Sequence, residues 1–208
     1  SAEGDDYRLV DPNWLEPAEL PHAAEWHPAQ QLITYLDTLF DSSDIVGYVT
    51  ETWERDGKFL PQKGNYDRTA GELIDLLSRC GDDIGRVFGD PNPRAGAWIR
   101  FNPLDGQGVR NDNVTRWDFA LVESDEMPVE EQYALYQEME LPIAALVSSG
   151  GKSLHAIARV DAPSYQEYQR RVDYLYEVCR KNGLKIDRQN RNPSRLSRMP
   201  GVMRNGNR

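Results

Sequence analysis

The sequence has few cysteines, no long apolar run and no excess of positive charge, and each absence excludes a class of protein. Its two cysteines, Cys80 and Cys179, provide neither a disulfide framework nor the spacing of a zinc site. No apolar stretch approaches the roughly 20 residues that span a membrane, and the first residues lead us to expect no signal peptide. We therefore expect a protein of a reducing, cytoplasmic compartment that has no membrane partner.

The chain is acidic as a whole, with a formal net charge of −10 over 208 residues. This balance argues against unspecific binding to nucleic acid. The charge is unevenly distributed, because acidic residues dominate residues 1–25 and arginines dominate from Lys185 onward. A basic segment usually marks a solvated face, but a polyphosphate ligand requires the same composition.

The first half of the chain carries weaker signals of secondary structure than the second half. Residues 1–27 are rich in proline and acidic side chains, which indicates an acidic extended arm. Residues 28–113 predict an N-terminal α/β module. Its signals are a helix that begins at Pro28, a hairpin turn at Asp56-Gly57 and a capping box at Thr69-Ala-Gly-Glu72.

Residues 114–208 show a regular alternation of apolar strands and amphipathic helices. Strands are predicted over 116–124, 143–148, 152–160 and 184–187, with helices after Pro128 and Ser164. The order is β-α-β-β-α-β, which is the ferredoxin-like unit also found in RNA-recognition (RRM) folds. We therefore predict an α+β protein with an RRM-like (ferredoxin-like βαββαβ) catalytic core behind the N-terminal module.

One stretch, Phe119-Ala-Leu-Val-Glu-Ser-Asp125, combines an apolar strand with two carboxylates at its end. Side chains alternate along a strand, so Glu123 and Asp125 point the same way, about 7 Å apart along the backbone. Two acids on one face of a strand end can bind a divalent cation through hard oxygen ligands. Taken alone, the stretch is also explained by a strand that ends in a solvated acidic turn, and the distinction depends on residues downstream.

The ferredoxin-like order predicts where these two acids lie relative to later polar residues. Its first strand lies between the third and the fourth strands and runs antiparallel to both. The end of the first strand therefore meets the beginnings of the other two, which carry Ser153, His155 and Asp187. We expect these three residues to converge with Glu123 and Asp125 on one edge of the sheet.

Three carboxylates beside phosphate-binding donors indicate two-metal phosphoryl or nucleotidyl transfer, with divalent cations held by hard oxygen ligands. Lys152, Ser153, His155 and the preceding Gly-Gly turn are donors suited to phosphate oxygens. Arg195 and Arg198 stand in a run of arginine, asparagine and serine, where they can clamp phosphates or template. Salt bridging at the surface explains either arginine as well.

Other interpretations of the same residues fit less well. Ser149-Gly-Gly-Lys-Ser153 resembles part of a P-loop, but that motif requires a glycine at the position of Leu146 and a helix where a strand is predicted. A relaxase-type nuclease requires a cluster of paired histidines, which His155 lacks. A Ser-His-Asp hydrolase has the right residue types, but Ser153 and His155 are neighbours on one strand and the glycine pair of a nucleophile elbow is missing.

The motifs resemble those of a known superfamily. Val122-Glu-Ser-Asp125, Gly151-Lys-Ser-Leu-His155 and Ile186-Asp187 are similar to the three motifs of the archaeo-eukaryotic primase (AEP) superfamily, the primase-polymerases. Ser194-Arg-Leu-Ser-Arg-Met-Pro-Gly201 resembles the segment after the third motif in primase-like proteins of bacterial phages and mobile elements. The resemblance covers roughly residues 96–205, and the order and spacing of the motifs carry its specificity.

This resemblance implies a template-directed DNA primase-polymerase domain that uses nucleoside triphosphates on a single-stranded DNA template. It implies Glu123, Asp125 and Asp187 as ligands of two Mg²⁺ or Mn²⁺ ions and, with His155, as the catalytic set. It also implies that Ser153 and His155 bind the phosphates of the incoming nucleotide. A fused or associated helicase is expected, with the chain as an excised part of a longer protein. Glutamate at position 123 departs from the commoner aspartate, and the cysteine-based zinc element of cellular primases is missing.

Two other functions use the same residues. A primase-derived domain can hold nucleotide or single-stranded nucleic acid without catalysis, and a metal-dependent nuclease or phosphodiesterase uses the same ligands with water as the nucleophile. A surface that binds the template is a separate prediction. Trp98, Arg100 and Asn102 are spaced two residues apart and therefore share one face of a strand, and Arg110 follows in the next loop. An exposed strand edge with incidental polar residues explains these side chains as well.

Overall fold

The computed structural model describes residues 26–151 and 153–204, which form a mixed α+β fold with antiparallel sheets, as predicted. The helices are α1 (Pro28–Leu39), α2 (Ala70–Arg79), α3 (Gly85–Phe88), α4 (Val129–Glu138) and α5 (Tyr165–Lys181). The strands are β1 (Ile45–Val49), β2 (Thr52–Arg55), β3 (Lys58–Pro61), β4 (Asn65–Thr69), β5 (Trp98–Arg100), β6 (Trp117–Val122), β7 (Ile143–Ser148), β8 (Leu154–Ala162) and β9 (Leu196–Arg198). Short 3₁₀ helices cover Asn111–Asn113 and Arg188–Asn190.

Two further points concern the N-terminal arm and the question of membrane-spanning helices. Most of the acidic arm predicted for residues 1–27 lies outside the described residues. Of the helices that the structure describes, none combines the length and the hydrophobicity that crossing a membrane requires.

The first sheet has the strand order β4-β1-β5-β9, with every pair antiparallel. α1 begins at Pro28, which suits the first turn of a helix because the N–H that proline lacks has no helical partner there. α2 begins behind Thr69, whose side chain accepts a hydrogen bond from the Glu72 N–H, as the capping box predicted. The edge strand β9 comes from late in the chain, so the C-terminal segment completes a sheet whose other strands end by Arg100.

β2 and β3 form a separate two-stranded sheet that turns at Asp56 and Gly57. Both turn residues have positive φ, 53° and 77°, which is the backbone that matches the twist of a tight hairpin. Glycine adopts this conformation without steric cost, and aspartate tolerates it better than most residues. The structure thus confirms the predicted hairpin turn.

The second sheet has the order β6-β8-β7 and is also antiparallel. Both faces of β6 are buried: Phe119 and Leu121 pack into a core shared with α1 and α2, whereas Ala120 and Val122 pack into a core with α5. A strand buried on both faces is encoded by a continuous apolar run rather than by alternation. Glu123 comes directly after this run, where the chain leaves the core.

The fourth strand predicted over 184–187 is not formed in the described part of the chain, and that prediction is wrong. Asp187 makes one backbone contact with the end of β6, its N–H donating to the Glu123 carbonyl over 3.1 Å. Its side chain accepts from the Gln189 N–H and caps a 3₁₀ helix, which turns the chain away before a ladder can extend. The full RRM-like βαββαβ topology is therefore not confirmed, although three strands have its order.

Candidate functional site

An open pocket of about 410 Å³ lies where the ends of β6 and β8 meet β9. Alternation along the strands turns Glu123 and His155 to the same side as Leu121 and Ile157, which is the side facing the first sheet. The lining residues are Trp98, Glu123, Asp125, Ser149, Gly151, Ser153, His155, Asn190, Arg195, Leu196, Arg198 and Arg204. The fold thus brings the acid pair, the Ser-x-His pair and both predicted arginines to one concavity, while Lys152 lies outside the described residues.

Glu123 is the centre of the hydrogen-bond network in this pocket. Its Oε2 accepts from Ser153 Oγ over 3.1 Å and lies 2.9 Å from His155 Nε2. Its Oε1 accepts from Asn190 Nδ2 over 2.7 Å. Burial by itself raises the pKa of Glu123, but the hydrogen bonds donated to it, together with the nearby imidazole, outweigh burial and lower the pKa to about 2. Glu123 is therefore an anion at neutral pH, and three neighbouring side chains set its orientation.

Protein groups contact His155 at both ring nitrogens. Nδ1 accepts the backbone N–H of Arg198 over 3.2 Å and lies 2.8 Å from Ser197 Oγ. Because an N–H donates to Nδ1, these partners assign the proton of the neutral ring to Nε2, which points at Glu123. The short strand β9 thus orients the imidazole and belongs to the site.

The structure places the three predicted metal ligands differently. Glu123 and Asp125 both line the pocket, whereas Asp187 joins Glu123 through its backbone and uses its side chain to cap a 3₁₀ helix. Across residues 26–151 and 153–204, no three His, Cys, Asp or Glu side chains are gathered in a way that could hold a metal ion. The chemistry of the donors still fits a hard divalent cation, because carboxylate oxygens are the ligands that Mg²⁺ and Mn²⁺ prefer.

A buried amide joins Arg195 to Glu123. Asn190 is 1% exposed, donates from Nδ2 to Glu123 and accepts from Arg195 Nε, each over 2.7 Å. Because both ends of the amide are used, its orientation is determined, and the carboxylate and the guanidinium are held at a set separation. Asn190 thus couples an acid and a cation of the same pocket.

Arg198 and Arg204 add two further cations to the lining of the pocket. Arg198 lies over the Trp98 ring, with Cζ 4.3 Å from the ring centroid, and burial is the main cause that lowers its pKa to about 10. Arg204 donates from Nη1 to the Ser149 carbonyl over 3.3 Å, and its buried Nε has no hydrogen-bond partner among the described residues. Guanidinium groups beside carboxylates suit the oxygens of a metal-bound polyphosphate.

A solved structure has a similar arrangement of helices and strands. The AEP domain of the cyanophage S-2L primase-polymerase (PrimPol) matches this chain with a TM-score of 0.50 and 20% sequence identity, over 82% of this chain and 80% of that one. The chain has an AEP-like fold. No family model and no curated protein matches the sequence. At this identity the similarity concerns the fold alone.

Two residues that line the pocket, Asn190 and Arg204, were not predicted from the sequence. Asn190 begins the run of arginine, asparagine and serine that also contains Arg195 and Arg198. Asn190 could have been identified from its position three residues after Asp187, because the side chains of a short turn stay close to the motif that precedes the turn. Arg204 belongs to the basic stretch from Lys185 onward, and nothing in that stretch distinguishes it from the other arginines.

Two of the predicted template contacts are buried in this AEP-like fold. Arg100 and Asn102 are 6% and 0% exposed. Arg100 Nε donates to the Ser194 carbonyl over 3.0 Å, and Asn102 Nδ2 donates to the Phe119 carbonyl over 2.9 Å. These contacts fasten neighbouring segments together, so neither side chain is presented to a template strand. Arg110 is exposed, and a template role for it stays a prediction.

Proposed function

We propose that the chain is a template-directed nucleotidyltransferase of the primase-polymerase type. The observation that carries the proposal is the pocket that combines Glu123 and Asp125 with Ser153, His155 and a wall of arginines. Carboxylates beside guanidinium donors are what a triphosphate and its cations require. The AEP-like fold supports the proposal, because the solved structure that shares it is a primase-polymerase domain.

The carboxylates of the pocket, Glu123 and Asp125, suit Mg²⁺ or Mn²⁺, which they would hold together with Asp187 from the adjoining 3₁₀ turn. When bound, such ions would supply positive charge to the triphosphate and the departing pyrophosphate and would activate the attacking hydroxyl. The chain itself orients the acids: Ser153 and Asn190 direct one oxygen each of the Glu123 carboxylate. The backbone contact from Asp187 to Glu123 keeps the third acid beside the first.

The arginines of the pocket are proposed to bind the phosphates of the incoming nucleotide. Arg195 is positioned through Asn190, and Arg198 is positioned by its stacking on Trp98. Arg204 contributes a buried Nε that lacks a partner among the described residues, which a phosphate oxygen would satisfy. The proposed substrates are nucleoside triphosphates and a single-stranded DNA template, while a helicase partner and a cytoplasmic location stay predictions from the sequence.

Primer extension by the wild type and by Asp125→Ala tests this function. Removing a carboxylate that faces the pocket is expected to lower the rate on the order of a hundredfold, as the loss of one preorganised charge does in other active sites. Glu126→Ala is the matched control, because it removes an exposed acid one residue away that does not line the pocket. Equal extension by Asp125→Ala and the wild type would end the proposal.

A catalytically silent nucleotide-binding or DNA-binding module is the second candidate, and one observation favours it. Both oxygens of Glu123 already accept hydrogen bonds from side chains, which is also how a purely structural carboxylate is satisfied. Labelled nucleotide that binds without yielding product in the presence of Mg²⁺ or Mn²⁺ would identify this module. In the same assay, shortening of the labelled DNA rather than lengthening would identify a nuclease.

A further inference from the structure

The hairpin formed by β2 and β3 is attached to the wall of the pocket by one of its faces. Phe59 packs in an apolar cluster with Val49 and Trp98. Arg94 also packs on Phe59, with its Cζ 5.3 Å from the centroid of the ring. Because Trp98 lines the pocket, the hairpin continues the pocket wall outward.

The opposite face of the hairpin is aromatic and positively charged. In the strand register Trp53 lies directly opposite Leu60. Two positions further along the strands, Arg55 lies directly opposite Lys58 on the same face. Directly opposite residues share a face, and alternation turns both pairs away from Phe59. Trp53 is 45% exposed, which is unusual for a residue of its size, and both cations are exposed as well.

This outer face is basic although the chain carries a net charge of −10. Asp56 at the turn approaches Arg55 with an oxygen 4.0 Å from Nε, but both side chains are solvated, so the pair offsets little of the charge. Glu54 is opposite Phe59 in the register and belongs to the other face. An exposed indole beside two cations is the composition that stacks a nucleic acid base and contacts the adjoining phosphates.

We propose that the outer face of the hairpin binds single-stranded nucleic acid, with a base stacked on Trp53 and phosphates bound by Arg55 and Lys58. A protein partner fits less well, because a stable protein interface takes about 20–30 residues on each side, whereas this face is formed by two four-residue strands. This inference rests on the proposed function in one respect: the single-stranded nucleic acid is assumed to be DNA because the proposed template is DNA. It assigns to that function a binding surface outside the pocket, on an element joined to the pocket wall.

The test measures the binding of a fluorescein-labelled oligothymidylate to the 208-residue chain by fluorescence anisotropy. Trp53→Ala is expected to weaken binding about tenfold, the size of one lost stacking contact. Trp53→Phe keeps an aromatic ring and is expected to retain most of the affinity. Tyr174→Ala removes a 73% exposed aromatic side chain from α5 and, as the matched control, is expected to bind like the wild type.

The two cations are tested through the salt dependence of the same binding. Arg55→Ala combined with Lys58→Ala is expected to make affinity fall less steeply with salt, because fewer counterions are released when fewer phosphates are neutralised. Thermal denaturation shows whether each variant folds. If Trp53→Ala unfolds, a salt dependence of binding that is the same in the folded Arg55→Ala, Lys58→Ala protein as in the wild type overturns the proposal. Equal oligonucleotide affinity of the folded Trp53→Ala protein and the wild type overturns the proposal. If Trp53→Ala instead abolishes self-association and leaves DNA binding unchanged, the face is a protein contact.

Failure of this inference and failure of the proposed function give different results. Oligonucleotide binding that depends on Trp53, without any primer extension by the wild type, keeps the surface and removes the polymerase. Primer extension by the wild type, with template affinity unchanged in Trp53→Ala, keeps the polymerase and removes the surface.

Discussion

Glu123 keeps its charge in a site that buries most of its side chain. A carboxylate taken out of water loses free energy unless other donors replace the water. Ser153, His155 and Asn190 supply these donors, so the pocket is organised around an anion before any ligand binds. The carboxylate of Glu123 is therefore integrated into a network of three side chains.

Glu123→Gln tests at the scale of one residue what this network contributes to stability. The folded pKa of about 2 lies below the ordinary 4.5, so the charged carboxylate stabilises the fold above pH 4.5, and this contribution is lost as the pH falls toward 2. A shift of this size corresponds to a contribution on the order of 3 kcal/mol. We expect the wild type to exceed Glu123→Gln in free energy of unfolding at neutral pH, and this difference to shrink in acid.

Urea denaturation at a series of pH values measures this difference. Glu126→Gln removes an exposed carboxylate of the same loop and serves as the control for a general change in net charge. A difference between the wild type and Glu123→Gln that stays constant from neutral pH to acid would contradict the assigned network.

At the scale of elements, β9 and the turn that follows it connect the two sheets at the site. β9 places Ser197 and Arg198 against His155. The turn at Gly201 then passes close to the start of α1, where a Cβ on this glycine would lie 2.9 Å from the Pro28 carbonyl oxygen. With a φ of 76° as well, the position requires glycine for both its backbone conformation and its close approach.

Gly201→Ala is expected to lower stability and to weaken triphosphate binding. A side chain at positive φ costs about 1 kcal/mol, and the contact with Pro28 adds a displacement of the segment that carries Arg204. Gly183→Ala is the matched control, because Gly183 has a φ of 89° but a Cβ there meets open space. Thermal denaturation and binding of a fluorescent nucleoside triphosphate measure both effects. If both variants bind the triphosphate like the wild type, Arg204 does not act through this turn.

At the scale of the whole molecule, one of the two main apolar cores is shared between the sheets. It packs α1 and β5, through residues such as Leu36 and Ile99, against β6 and β8, through Phe119 and Ile157. The other core packs α5 against the far face of the second sheet. The pocket lies at the rim of the shared core, so its geometry depends on the packing of one sheet against the other.

Phe119→Ala is expected to destabilise the whole molecule rather than one sheet. Phe119 is 2% exposed in the shared core, and such truncations cost about 3–5 kcal/mol. Far-UV circular dichroism and the fluorescence of Trp98 and Trp117, one in each sheet, are expected to follow one coincident urea transition, shifted to lower urea in the variant. Tyr174→Ala, on the exposed side of α5, is the control. Two separate transitions would show that the sheets unfold independently.

The local elements and the motif residues could be predicted from the sequence because neighbours in the chain decide them. Pro28 begins α1, and the side chain of Thr69 caps α2, because each satisfies a preference of the first helical turn. The apolar run before Glu123 became the buried strand β6, and the two-residue alternation of strands placed Glu123 and His155 on the same side.

Only the tertiary structure decided where the second sheet stops and which polar side chains reach the pocket. Asp187 follows Leu184 and Ile186, whose alternation resembles a strand, yet its side chain caps a 3₁₀ helix and only its backbone contacts Glu123. Asn190 and Arg204 acquire their partners across 67 and 55 positions of the chain. Arg100 is buried under a segment 94 residues later. Periodicity in a sequence describes contacts within an element, whereas these contacts form only when separate elements pack.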